Sequence, residues 1–255
     1  MKKTKNKPPF SFILFFFFSS SLTNKTLFFF YRITHHKIMS SMTSVSPAPA
    51  PIAANATGAS SIHPLNRKWE IFYDRRPPKQ SQTQQQAVAN FDEYTEKLKS
   101  ISKISSVEEF WTVFNYIPIP SEIADNSSLY FFHEGITPAW ESIPAGGIWT
   151  YSAKTYENTL NQYNDSWQNI ILGLIGEQLP EETFADHICG IELTVKKTKF
   201  SKLALWMDTT DEKICMDVGK WFADLTPKIG YGNKIAFRSN DDLIRGDRGG
   251  PKYVI

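Results

Sequence analysis

"GIELTVKKTKFSKLALWMDTTDEKICMDVGKWFADL" (residues 190–225) is the stretch that decides the fold class. "GIELTVKK" (190–197) and "KLALWMD" (202–208) are apolar and β-branched runs joined by a basic turn, and read as paired strands. The period then changes. Thr210 can cap a helix, with Asp211 and Glu212 in the first turn, where carboxylates favour the positive end of the helix dipole. Ile214, Val218, Trp221, Phe222 and Leu225 form the apolar stripe of that helix. Strands paired with each other and then followed by a one-sided helix predict an α+β fold, a single antiparallel sheet with helices on one face.

The same alternation extends outward. "KWEIFY" (68–73), "SLYFFHE" (128–134), "GIWTYS" (147–152) and "KIAFRS" (234–239) read as strands, the last one leading into a Gly/Arg-rich tail. Ser106 and Glu109 make a capping box, after which Val107, Phe110, Trp111 and Phe114 share one helical face. Another helix is predicted from about Asp165, with Trp167, Ile170, Ile171, Leu174 and Ile175 inward and Leu172 outward. Gln80 to Gln86 has no periodicity and reads as a loop.

The chain's 255 residues carry a net charge of +2, but residues 1–62 hold seven basic side chains and no acidic one. The remaining residues carry 21 basic and 26 acidic side chains, a net of −5, so any nucleic-acid contact must come from a local basic patch. Residues 1–62 are expected to be a disordered tail, its Ser/Ala/Pro-rich part unable to bury much apolar surface. Within it, residues 1–38 read either as a mis-assigned start, with Met39 or Met42 the true one, or as a targeting-like segment. Its apolar run, Phe10 to Phe18, is too short to span a bilayer as a helix, so no membrane partner is expected. The folded domain is expected over 63–255. Two cysteines, Cys189 and Cys215, make no disulfide framework and point to a reducing, cytoplasmic compartment.

There is no glycine-rich phosphate loop, no Cys/His metal spacing and no nucleophile elbow, so neither an enzyme nor a metal or cofactor is expected. The unusual feature is "GITPAWESIPAGGIW" (135–149), which puts Trp140 and Glu141 side by side on a Pro/Gly loop. Most tryptophans are core material, and Trp149 and Trp167 fit that reading. Trp140 fits it poorly. A ring held on a loop can stack on a planar group, worth about 1–3 kcal/mol on a nucleobase. The neighbouring carboxylate can accept two hydrogen bonds from a guanine-like edge. Lys196, Lys197, Lys199 and Lys202 form the one basic cluster between strands, either a solvated turn or a phosphate site.

Taken in order, "HPL" (63–65), "SSVEEFW" (105–111), "GITPAWE" (135–141), "GGIW" (146–149), "SWQNIILGLIGEQL" (166–179), "ICG" (188–190), "LALW" (203–206) and the terminal "KYVI" resemble the eukaryotic translation initiation factor 4E family of messenger-RNA cap-binding proteins. The resemblance covers 63–255 and implies a curved antiparallel sheet of about eight strands with three helices on its convex back. It implies that 7-methylguanosine lies between two rings, matched here by Tyr94 and Trp140, with Glu141 accepting from the guanine. Trp206 matches the indole at the N7-methyl group, and Lys196 and Lys202 match the phosphate-holding pair. His63, Pro64, Val107, Trp111 and Leu172 match a surface that receives a partner helix with a Tyr-x4-Leu-hydrophobic motif, carried by an initiation scaffold or binding protein. Gln168 and Asn169 stand where the initiation class has an apolar residue and a Glu.

Other departures concern the cap side. Most initiation-type members carry Trp at the Tyr94 position, and Ile148 replaces an Arg or Lys before the Trp of "GGxW". Arg245, Arg248 or Lys252 in the tail are candidates to compensate. "DRRPP" (74–78), Asn169 and "GEQL" (176–179) resemble a divergent 4E-homologous class, whereas "GPKYVI" resembles the initiation class. The implied function is cap binding and recruitment to translation initiation. The alternatives are a cap-binding repressor and a partner-binding member without cap affinity.

Overall fold

The computed structural model describes residues 62–75, 95–156, 159–197, 199–227, 235–247 and 249–255. The expected tail up to residue 61, the Gln80–Gln86 loop, Tyr94 and Arg248 lie outside the described residues.

Eight strands form one curved antiparallel sheet. They are β1 (Pro64–Arg75), β2 (Lys99–Ser106), β3 (Ser127–His133), β4 (Gly147–Lys154), β5 (Ile188–Val195), β6 (Phe200–Met207), β7 (Ala236–Ser239) and β8 (Tyr253–Val254), in the order β2-β1-β3-β5-β6-β4-β7-β8. Three long helices, α1 (Val107–Phe114), α2 (Leu160–Ile175) and α3 (Glu212–Leu225), cover one face. A short α4 (Asn240–Ile244) follows β7.

Alternation along the strands sorts the side chains. Trp69 and Ile71 of β1, Leu129 and Phe131 of β3, Ile191 and Leu193 of β5, Leu203 and Leu205 of β6, and Trp149 and Tyr151 of β4 are all buried under the helices. Trp69 stacks on Phe131 with ring centroids 4.5 Å apart, and Phe110 of α1 meets Phe131 edge-on at 6.4 Å. Tyr163 of α2 donates its hydroxyl to the Ser201 carbonyl at 3.0 Å. Trp149 donates its indole N–H to the Cys215 carbonyl of α3 at 2.9 Å.

The predicted elements are all present, with shifted ends. Ser106 caps α1 as expected, its Oγ accepting from the Glu109 N–H at 3.2 Å. The return half of the box differs: the Glu109 carboxylate accepts from the Ser105 N–H and Oγ, both at 2.7 Å. Helix α2 starts at Leu160, five residues before the expected Asp165, because buried Leu160 and Tyr163 extend the inward stripe by a turn. The cap of α3 is Asp211, not Thr210, with Oδ1 accepting from the Ile214 N–H at 3.0 Å. The centre of the α3 stripe is rotated from the predicted line onto Cys215, Val218, Gly219 and Phe222, while Ile214, Trp221 and Leu225 are half-buried. Gly219 is central because the Trp149 ring lies against it; a Cβ there would sit 2.5 Å from that ring. The Gly/Arg-rich tail is structured too, as α4 and as β8 paired with Ala236 and Phe237.

His133 ends β3 edge-on to Trp69, centroids 4.2 Å apart, with its Nε2 buried and unpartnered. Burial, helped by the Arg67 charge and opposed by Glu177, Asp186 and Asp208, pushes its pKa down to about 4. The unfolded chain therefore takes up this proton first, at the ordinary histidine value, and the stability associated with neutral His133 is lost as pH falls from about 6.5 to about 4. We expect a loss of about 3 kcal/mol from this group over that window. Urea denaturation at pH 7 and pH 4.5 checks it: His133→Phe should show a shallower pH dependence than the wild type.

Candidate functional site

The face of the sheet away from the long helices carries the remaining alternate residues. One row runs Glu70, Phe132, Gly190, Trp206, Ile148, Arg238 across six strands. The next runs Phe72, Tyr130, Glu192, Ala204, Thr150. A third runs Asp74, Ser128, Thr194, Lys202, Ser152. Tyr130, Phe132, Ile143, Ile148, Cys189, Ala204 and Trp206 pack together here. Gly190 makes this possible: a Cβ there would lie 2.5 Å from the Phe132 ring, which instead leans across to meet Trp206 edge-on at 5.6 Å.

Trp140 is carried on a turn next to this floor. After β3 the chain reverses at Gly135, whose φ of +87° lies where side chains are disfavoured. Trp140–Ser142 forms a 3₁₀ turn, closed by the Ile143 N–H donating to the Trp140 carbonyl at 3.1 Å. Ile143 drops into the floor cluster. Asn240, fully buried at the start of α4, holds the turn from behind: its Nδ2 donates to the Ile143 carbonyl at 2.7 Å and its backbone N–H to the Gly146 carbonyl at 2.9 Å. Trp140 is the only exposed one of the seven tryptophans, at 41%, and Glu141 beside it is also exposed.

Trp206 is buried, with its indole N–H donated to Glu192 Oε2 at 3.3 Å. Glu192 is itself buried, and Lys202 Nζ lies 2.7 Å from its Oε1. Thr194 Oγ1 donates to the same Oε1 at 2.8 Å and shares a 2.9 Å hydrogen bond with Ser128 Oγ. Burial pushes the Glu192 pKa up, but the Lys202 charge and the hydrogen bonds from Lys202, Thr194 and Trp206 outweigh it and hold the carboxyl below its ordinary value. Lys202 is thus engaged on the sheet, whereas Lys196 is exposed and has no ion pair among the described residues. Among the tail cations named from sequence, Arg245 pairs with Asp241 and Lys252 donates to the Thr210 carbonyl at 3.2 Å.

Two residues of this face escaped the sequence reading. Glu192 was hidden inside an apolar strand; the signal for it was a carboxylate flanked by Ile191 and Leu193. Arg238 lies beside Ile148 on β7, with Nη2 donating to the Asp247 carbonyl at 2.5 Å and a buried, unpartnered Nε. Its signal was Arg in alternation with Ile235 and Phe237.

A sequence profile described as Eukaryotic initiation factor 4E matches residues 64–252. The chain belongs to the eukaryotic initiation factor 4E family. Eukaryotic translation initiation factor isoform 4E-2 of Zea mays is 32% identical over 218 residues, covering 84% of this chain and 91% of the relative. Eukaryotic translation initiation factor 4E of Dictyostelium discoideum is 30% identical over 190 residues, covering 73% and 68%. The crystal structure of Ascaris suum eIF4E-3 with m7G cap superposes with a TM-score of 0.61 at 25% identity, over 76% of this chain and 98% of that one. The C. elegans eIF4E-3 complex with the 4E-binding protein Mextli shares the fold at a TM-score of 0.62 and 23% identity, over 76% and 100%.

On the helical back of this 4E-family chain, the residues matched to a partner surface fall into two groups. His63 and Pro64 are exposed at the start of β1, beside α1: the Val107 N–H donates to the His63 carbonyl at 2.9 Å, and His63 Nδ1 lies 2.7 Å from Glu108 Oε1. Val107 is half-buried, and Trp111 is 8% exposed, packed on Phe110 and Phe114. Gln168, Asn169 and Leu172 lie on the outer side of α2, with Asn169 exposed and the other two half-buried. Among the described residues no helix is long and apolar enough to cross a membrane.

The turn's dependence on Asn240 is measurable. Asn240→Ala removes a buried hydrogen bond to the Ile143 carbonyl and should destabilise the fold by about 1–3 kcal/mol. Trp140→Ala, at an exposed ring, should change stability by no more than about 0.5 kcal/mol. Chemical denaturation of the two variants checks the contrast.

Proposed function

We propose that this 4E-family chain binds the 7-methylguanosine cap of messenger RNA on the face opposite the long helices, and recruits capped message through a scaffold partner for translation initiation in the cytoplasm. The observation that carries the reading is Trp140: one tryptophan of seven is held out of the core, on an anchored turn, with an exposed carboxylate next to it. Exposing a large ring forgoes burial, and a flat ligand that covers it recovers that contribution. In this reading Trp140 stacks on the methylated base, Tyr94 supplies the opposing ring, and Glu141 accepts from the guanine edge. Trp206 forms the floor at the methyl group. Lys196 and Lys202 face the phosphates. The methylated purine carries positive charge, which adds a cation–π contribution of about 2 kcal/mol when desolvated.

The binding unit is residues 63–255, and its role is recognition without catalysis. Two similar structures carry the ligands this reading calls for: Ascaris suum eIF4E-3 with m7G cap, and a schistosome eIF4E with m7GpppA and 4E-BP. The partner helix is one with a Tyr-x4-Leu-hydrophobic motif, received by His63, Pro64, Val107, Trp111, Gln168, Asn169 and Leu172.

A second reading, a cap-binding repressor that competes with the initiation factor, is favoured by the amides Gln168 and Asn169 on the outer side of α2. They offer a partner neither an apolar contact nor a charge. Pull-downs separate the two: recovery of an initiation scaffold with a helicase supports recruitment.

Retention on immobilised 7-methyl-GTP tests the site. Trp140→Ala and Glu141→Ala should each weaken binding about 5- to 100-fold, the range expected from losing one stacked ring or one charge-assisted contact. Equal retention of wild type and both variants would remove the assignment.

A further inference from the structure

Glu192 sits where one carboxylate can act on both ends of a nucleotide. Its cross-strand partner on β6 is Ala204, and its diagonal neighbours on the same face are Lys202 and Trp206. Ala204 is small, so the carboxylate has room to lie flat between them. Oε1 takes the lysine at 2.7 Å and Oε2 takes the indole N–H at 3.3 Å. Thr194, backed by Ser128, fixes Oε1 from the neighbouring strand. Every polar contact of this carboxylate is thus satisfied within the protein. The group is 6% exposed.

We propose that Glu192 is a specificity-determining counter-charge that neutralises Lys202 and so makes the site recognise the methylated base while responding weakly to the number of phosphates. The proposal rests on the cap-binding reading above. A phosphate that draws Lys202 away leaves Glu192 charged and buried without its partner, which is strongly unfavourable. Lys202 therefore stays on the sheet, half-exposed, as part of a neutral pair. A ligand phosphate approaching that pair meets the lysine and the carboxylate together, and the two fields largely cancel beyond the pair's own length. Lys196 is then the lysine of the matched pair that still offers a full charge. At the other end, Oε2 fixes the tilt of the Trp206 indole, so the floor beneath the base is set by the same residue.

The test compares 7-methyl-GMP with 7-methyl-GTP by fluorescence titration of the full chain. In the wild type, 7-methyl-GTP should bind no more than about threefold tighter per added phosphate, the weak increment of a largely neutralised, exposed pair. Glu192→Gln keeps the shape and an acceptor for Trp206 but frees the lysine charge. It should raise the ratio of 7-methyl-GTP to 7-methyl-GMP affinity about fivefold, and Glu192→Gln combined with Lys202→Ala should lose that gain. An unchanged ratio in folded Glu192→Gln, with 7-methyl-GMP still bound by the wild type, overturns the proposal while leaving the cap reading intact. Should Glu192→Gln fail to fold, the wild-type series decides: a gain of about tenfold or more per phosphate overturns the proposal, and a gain below threefold upholds it. Absence of binding to either nucleotide by the wild type defeats the cap reading, and the proposal with it.

Discussion

A β-strand sends successive side chains to opposite sides, and an antiparallel sheet lines them up across all its strands. In this protein one set is apolar and heavily aromatic, and it is taken up by α1, α2 and α3 through contacts such as Phe110 of α1 on Phe131, Tyr163 of α2 on Ser201 and Trp149 on Cys215 of α3. Burying that face fixes the register, because a slip of one residue would turn Trp69, Phe131 and Trp149 toward water. The opposite set is then specified as well. Trp206, Ile148, Glu192 and Lys202 share a face because their strand neighbours Leu205, Trp149, Leu193 and Leu203 are committed to the core.

That second face is neither a solvated surface nor a second core. Its aromatic floor is closed by Ile143 and by Phe132 leaning over Gly190, yet among the described residues no long helix covers it. It also holds a buried carboxylate, which an apolar layer tolerates only when its lone pairs are filled. Lys202, Thr194 and Trp206 fill them. The chain thus keeps a paired, hydrogen-bonded charge at the centre of the sheet, with that lysine engaged on the carboxylate.

Much of this was legible from residue order. The strand at 190–197, the one at 202–208 and the helix beyond them lie within a few residues of where their periodicity put them, because each buries an entire stripe. Ends were harder. Leu160 and Tyr163 extend α2 backward, but two apolar residues in a polar run carry little period of their own. Asp211 took the cap from Thr210, a competition between adjacent oxygens that depends on backbone angles. Strand β8 has two residues, too few to show alternation, and is defined by its partner β7. On the site, the Trp140–Glu141 pair stood out because its surroundings were wrong for a core ring. The Glu192–Lys202 pairing did not, since two residues ten apart in sequence meet only once the strand register is known.

Asn240 grips the Trp140 turn from 97 residues further along the chain. A ring held this way cannot be ordered by local structure. It is ordered only when β7 has paired with β4 and α4 has formed behind it. The turn therefore belongs to the same cooperative opening unit as the C-terminal end of the sheet, and amide exchange at Ile143 and Gly146 should follow exchange in β7 rather than in β3, which precedes the turn in sequence. Local loosening at that edge would also release the exposed tryptophan, so the order of this ring depends on a segment far from it in sequence.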